Sequence, residues 1–279
     1  MFTQLTDTVK AFLFFAIAFG LTLTVSLLYP VLGNATMLLH MYTPTAAALL
    51  MLLLVTRDGY TRPAWQSLGL HRAGLRGWPL GLLGPLGAMS AIYGLVWSTG
   101  VARPVMPGGY TLVGVPLEFV AQLVITSAFA VGEEIGFRGY LLPRLMRLGS
   151  TRALLLSGLL HGIWHFPLML LTPVYPILVT WLIVGPIFLL TLTAAGVFYG
   201  FLQLESGSVW TPTLAHGAFN ALLNMFKMFT ITSSPVTLEY LAGETGVLTL
   251  IVTALFAGWF LYRLRQRQSA VAVQMAAGV

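Results

Sequence analysis

Two adjacent carboxylates close a long apolar run, in Val131-Gly132-Glu133-Glu134-Ile135-Gly136-Phe137-Arg138-Gly139-Tyr140. The chain has only eight acidic residues, and two of them stand where a bilayer would make them costly. An ionisable side chain inside a membrane is rare and usually functional. On a helix Glu134 and Arg138 lie four apart and face each other, glutamate first, which is the favourable order. Glu133 points about 100° away, towards something else. The spacing divides the labour: Glu134 is held by arginine, and Glu133 is free for chemistry.

Two further polar clusters follow. His161 and His165, in His-Gly-Ile-Trp-His, are four apart and share a helical face. His216 and Asn220 do the same, and Asn224 continues their row. A buried carboxylate can act as a general base near neutral pH. A nearby histidine can share or relay its proton, and a second histidine with a carboxamide can donate hydrogen bonds to a developing oxyanion. Together these groups suffice for hydrolysis of an amide by activated water, with no side-chain nucleophile. Taken singly, Glu134–Arg138 reads as structural, each histidine is as often an interhelical hydrogen bonder, and Asn224 reads as packing. His40 has no partner at helical spacing and reads as structural or pore-lining; His71 is a loop residue, and Glu118 sits near the outer interface.

Other hydrolase chemistries fail on the residues. The chain has no cysteine, so thiol nucleophiles and thiolate metal sites are excluded. His161 is followed by Gly162, so the H-E-x-x-H of zinc proteases is absent. There is no Gly-x-Ser-Gly, and Asp7 and Asp58, the two aspartates, lie outside the apolar runs, so a membrane aspartyl dyad is excluded.

The elements that must position these groups are transmembrane helices. The 279 residues are 57% hydrophobic and 8% charged, with mean hydropathy +0.87. Soluble domains carry about 25% charged residues. The apolar runs do not alternate with polar residues, which excludes a transmembrane barrel. The expected fold is all-α, a polytopic bundle of about eight spans near 11–32, 37–55, 78–99, 116–136, 153–171, 177–199, 209–228 and 245–263. Glu133 lies about 17 residues into a helix entering from outside, His165 about 12 and His216 about seven into helices entering from inside; at ~1.5 Å per residue all three sit in the cytoplasmic half or near mid-membrane. The first span lacks a cleavage site and reads as a retained helix.

Net charge is +6, and it marks topology rather than nucleic-acid binding. Lys10, the arginines of 57–76, Arg144, Arg147, Arg152 and the arginines of 263–267 all fall on one side of an eight-span chain, while Arg103 and Lys227 fall opposite. The positive-inside rule then puts both termini in the cytoplasm. Arginine supplies most of the basic residues, a bias pointing to a GC-rich bacterial genome and the bacterial cytoplasmic membrane. The expected organisation is 1–114 as N-terminal helices with a basic loop, 115–228 as the catalytic core, and 229–279 as an outer loop, last helix and basic tail.

Glu133-Glu134-x-x-x-Arg138, a helix with His165, and His216-x-x-x-Asn220 resemble the CPBP family, also called ABI: the CAAX-protease and bacteriocin-processing-enzyme membrane proteins, similar to type II CAAX prenyl endopeptidases. The flanks Phe137-Arg138-Gly139-Tyr140-Leu141-Leu142-Pro143-Arg144-Leu145 and Gly207-Ser208-Val209-Trp210-Thr211-Pro212 fit as well. The resemblance spans about 115–228. It implies an intramembrane endopeptidase in which Glu133 activates water, His165 assists, His216 and Asn220 stabilise the oxyanion, and Glu134 and Arg138 support the motif. It implies a peptide or protein substrate, membrane-anchored or prenylated, or a bacteriocin-type precursor. His161 stands where the family usually has an aromatic, and whether it joins the site or packs is open at this point. No cofactor is favoured, but Glu133, His161, His165 and His216 could supply a zinc set. The competing reading is a proton-coupled transporter using the same relay, against which no inverted repeat is visible.

Overall fold

A computed structural model describes residues 5–173 and 181–276; the start of the sixth predicted span, 177–180, lies outside them. The described chain is all-α apart from one two-stranded ribbon. The long helices are α1 (Asp7–Leu27), α2 (Ala35–Leu50), α3 (Trp78–Ser98), α4 (Gly114–Glu134), α5 (Ser150–Leu171), α6 (Trp181–Ser206), α7 (Trp210–Met228) and α8 (Val247–Ala276).

Among the described residues, seven helical segments are long and apolar enough to cross a membrane. The exception is α7, made too polar by Thr211, His216, Asn220, Asn224 and Lys227. Its ends nevertheless fix its depth. At its start, the Trp210 indole donates to the Leu70 carbonyl at 3.0 Å and the Thr211 hydroxyl to Gly74 at 3.2 Å, just before α3 begins. Just past its end, β2 (Thr230–Thr232) pairs antiparallel with β1 (Ala102–Pro104), which follows α3. Helix α7 therefore runs alongside α3 from end to end, sheltered by α3, α4 and α6, as the eighth span of the expected bundle would.

One end of the bundle gathers the charges. Lys10 pairs with Asp58 at 3.3 Å, Arg147 approaches Asp7 at 3.8 Å, and Arg267 pairs with Glu205. Arg76, at the start of α3, shares a groove with Glu205 and Arg267. The start of α1 and the charged part of α8 thus lie at the same end.

Lipid gives helices no hydrophobic reason to associate, so close backbone approach and interhelical hydrogen bonds carry the packing. A Cβ on Gly132 would come within 2.5 Å of the Met41 carbonyl, so only glycine lets α4 meet α2 there. The Thr45 hydroxyl donates to the Gly132 carbonyl and the Tyr42 hydroxyl to Ala128, both at 2.6 Å. Gly158 makes the same allowance on α5, where a Cβ would sit 2.6 Å from the Thr193 carbonyl of α6. The Thr126 hydroxyl ties α4 to the Gly217 carbonyl of α7 at 2.7 Å.

Helix α4 does not stop near 136 as its apolar pattern suggests. It continues as a π-helix over Ile135–Leu141 and a short α-turn, Leu142–Leu145. The wide turn directs a run of consecutive side chains inward, from Gly136 to Leu142. Phe14 of α1 packs edge-on to Phe137 at 6.1 Å and stacks on Tyr140 at 5.1 Å. Such π-segments are frequent at functional sites.

The cysteine-free chain allows a direct check of the crossings. Single cysteines at Asp58, Arg147 and Arg267 are expected to react with an impermeant maleimide from the same face of sealed vesicles, and one at Thr111 from the other. An Arg267 cysteine that reacts from the face opposite to Asp58 and Arg147 would mean that α7 does not cross.

Candidate active site

Arg138 and Glu134 form the centre. Both are fully buried, and Arg138 Nη1 donates to Glu134 Oε1 at 3.0 Å. The i,i+4 pairing persists although Arg138 lies in the π-segment. The same Nη1 reaches His161 Nδ1 at 3.0 Å. A guanidinium can only donate, so Nδ1 is the acceptor and the neutral ring carries its hydrogen on Nε2. That Nε2–H donates to Glu133 Oε2 at 2.5 Å. His161 therefore joins the site, bridging the arginine on one side and Glu133 on the other. Its ring stacks on Phe137 at 4.5 Å, which fixes its plane.

Glu133 is 2% exposed. Besides His161, it has His165 Nε2 at 3.7 Å from the same Oε2. His165 lies one turn beyond His161 on α5, with its ring against Phe188. The divergence of the two glutamates follows the helical geometry: Glu133 turns to the histidines of α5, and Glu134 to Arg138.

His216 is placed differently from the expected zinc set. Its Nδ1 lies 2.9 Å from Glu134 Oε1, so it accompanies the second glutamate, not the first. Its ring stacks on Tyr199 at 5.0 Å, and Arg138 lies 5.3 Å from that ring. Glu134 is thus held by two partners, where spacing pointed to one. Asn220, half-buried one turn beyond His216, makes no hydrogen bond to these glutamates or histidines among the described residues.

His40 has no partner along its own helix and finds its partners on others. It is fully buried, and its Nε2 lies 3.4 Å from His165 Nδ1. Its other nitrogen bonds Thr22 of α1, and its ring stacks on Trp164 at 3.9 Å. A search for partners at helical spacing could not find it, because each partner is on another helix. Glu118 bonds Gln122 at 2.9 Å, and Asn224 is exposed; neither joins the cluster. His71 lines an open groove of about 580 Å³ with Trp78, Ser127, Val131 and Thr213. Val131 is two residues before Glu133, and Thr213 is nearly one turn before His216.

Of the four groups that could hold a metal, Glu133, His161 and His165 offer ligand atoms within 4.8 Å of one another. The donor chemistry does not fit. A metal on His161 Nε2 would require the hydrogen on Nδ1, where it would meet the N–H of Arg138. Metal-bound histidines normally donate that second N–H to a carboxylate, carbonyl or water, and here the partner is itself a donor.

Residues 115–222 match the family model described as Type II CAAX prenyl endopeptidase Rce1-like. The chain carries an Rce1-like segment, in agreement with the CPBP resemblance, and the match supports a CAAX-type intramembrane protease in general. With seven apolar helices, the protein is an integral membrane protein. Comparison with curated proteins finds no match. The matched segment contains both glutamates, Arg138, His161, His165, His216 and Asn220; Thr22 and His40 lie outside it.

Removing one partner from a buried ion pair leaves an uncompensated charge and costs about 3–5 kcal/mol. Arg138→Met is expected to lower stability on that scale, and Arg138→Lys by less, since an ammonium keeps the charge but cannot reproduce the planar fork. Thermal unfolding of the purified variants in detergent measures both; an Arg138→Met protein as stable as wild type would contradict the central role of the arginine.

Proposed function

We propose that the protein is an intramembrane endopeptidase in which Glu133 activates water. The observation that carries this reading is the asymmetry of the pair: Glu134 takes the arginine, and Glu133 is left facing two histidines in a buried pocket. Glu133 removes a proton from water as its oxygen attacks the scissile carbonyl carbon. His161 Nε2–H holds the carboxylate in place through Oε2. The carbonyl oxygen becomes an oxyanion, facing His216 and Asn220. His216 donates through Nδ1 to Glu134, so its Nε2 bears a hydrogen only when the ring is doubly protonated, which sets two cations, Arg138 and His216, against the two carboxylates. The tetrahedral intermediate collapses, the C–N bond breaks, and the amine leaves with the proton that Glu133 took from water, while His165 Nε2–H faces the carboxylate.

The mechanism needs no metal, which accords with the donor clash at His161. Residues 115–228 form the catalytic core in this reading, with 1–114 contributing His40 and 229–279 completing the bundle. The groove beside Val131 and Thr213 offers an approach for an extended peptide. The arginine-rich end faces the cytoplasm under the positive-inside rule, with both termini there. The substrates are membrane-anchored proteins or peptide precursors, of the CAAX or the bacteriocin-maturation type.

General-base catalysis contributes ~10²–10⁴-fold. Glu133→Gln is expected to lower cleavage of a quenched reporter peptide by about that factor while the protein stays folded. Full cleavage by Glu133→Gln would overturn its role, and substrate-driven proton flux without hydrolysis by wild type would replace the protease with a transporter.

A further inference from the structure

We propose that His40, supported by Thr22, is a positioning residue that sets the tautomer of His165. Both residues lie outside the matched 115–222 segment, on helices that the resemblance does not cover. His40 and Thr22 are each fully buried. A buried polar group is costly unless it is hydrogen-bonded, and a packing role alone would be filled by an apolar side chain. Here both imidazole nitrogens have partners: Nδ1 meets the Thr22 hydroxyl, and Nε2 meets His165 Nδ1 at 3.4 Å. The ring is held as well as bonded. It stacks on Trp164 at 3.9 Å with planes 15° apart, the Trp164 indole donates to the Thr43 hydroxyl at 3.0 Å, and that hydroxyl donates to the His40 carbonyl at 2.9 Å.

With neutral rings, Thr22, His40 and His165 have two alternative proton arrangements. In one, the Thr22 hydroxyl donates to His40 Nδ1, His40 Nε2–H donates to His165 Nδ1, and His165 keeps its hydrogen on Nε2, facing the Glu133 carboxylate. In the other, every bond is reversed and a bare His165 nitrogen faces that carboxylate. The negative charge favours the first. Two buried donors then play matching parts: Arg138 fills Nδ1 of His161, and His40 fills Nδ1 of His165, so both rings turn an N–H towards Glu133 Oε2. The hydrogen on one ring nitrogen is set by what the other one bonds. A mis-set tautomer can cost a hydrolase about 10⁴-fold.

The kinetic part rests on the protease reading; the tautomer part does not. The test compares wild type, Thr22→Val, Thr22→Ser and His40→Phe, purified and folded, by two measurements. The first is ¹⁵N NMR of histidine-labelled protein, with the His165 signals assigned by their loss in His165→Gln. The second is cleavage of internally quenched peptides ending in a Cys-Ala-Ala-X box, with and without a farnesyl thioether. The expected result is an Nε2–H tautomer of His165 in wild type and Thr22→Ser, and loss of that single tautomer in Thr22→Val and His40→Phe. The same two variants should lose at least about tenfold in kcat with KM within about twofold, short of the ~10⁴-fold limit, and Thr22→Ser should keep wild-type turnover. An unchanged His165 tautomer in folded His40→Phe, or an unchanged kcat beside a changed tautomer, would overturn the assignment. A wild type that cleaves neither peptide counts against the protease reading, and the NMR measurement then decides the role of His40 alone.

Discussion

A guanidinium sealed inside a helical bundle is the constraint on which the other side chains depend. Arg138 is fully buried and spends one nitrogen on both Glu134 and His161. Because it can only donate, it dictates where the hydrogen of His161 sits, and through that ring it dictates what Glu133 receives. Because it is charged, it compensates one of two adjacent carboxylates and leaves the other to neutral partners. Charge compensation and tautomer selection, usually the work of separate residues, come here from a single side chain.

The backbone is arranged to allow this. The π-segment following Glu134 brings Arg138 and Phe137 inward together, so the arginine reaches His161 while the phenyl ring covers its face. Gly132 and Gly158 bring α2 and α6 within backbone contact of α4 and α5, shutting lipid out of the polar cluster. Interhelical hydrogen bonds in membranes average only ~0.6 kcal/mol each, so the bundle relies on many close contacts, not on one strong bond. The cluster spans α1, α2, α4, α5 and α7, and no one of these helices holds the site alone.

Much of this was legible in the residues. Long apolar runs announced the helices, and the i,i+4 spacing of Glu134 and Arg138 announced their pairing along with the divergence of Glu133. The rest depended on which helix meets which, and spacing along one helix carries no such information. His40 looked solitary because Thr22 and His165 belong to other helices. His216 looked equally suited to either glutamate until the packing of α7 on α4 put it beside Glu134. The apolar pattern placed the end of α4 near residue 136 because hydropathy does not register a π-turn. Helix α7 was legible as a helix from its length, although its polarity leaves it below the composition of a lipid-facing helix; its neighbours supply the shelter.

The hydrogen that Arg138 assigns to His161 makes the proposed base a carboxylate between N–H donors and not a metal ligand. The most direct measurement is metal content and peptidase activity on the same purified sample, before and after exhaustive chelation. Activity is expected to persist with far less than one transition-metal ion per chain and to be unchanged by added zinc. One zinc bound per chain, with activity lost on chelation and restored by zinc, would contradict that expectation.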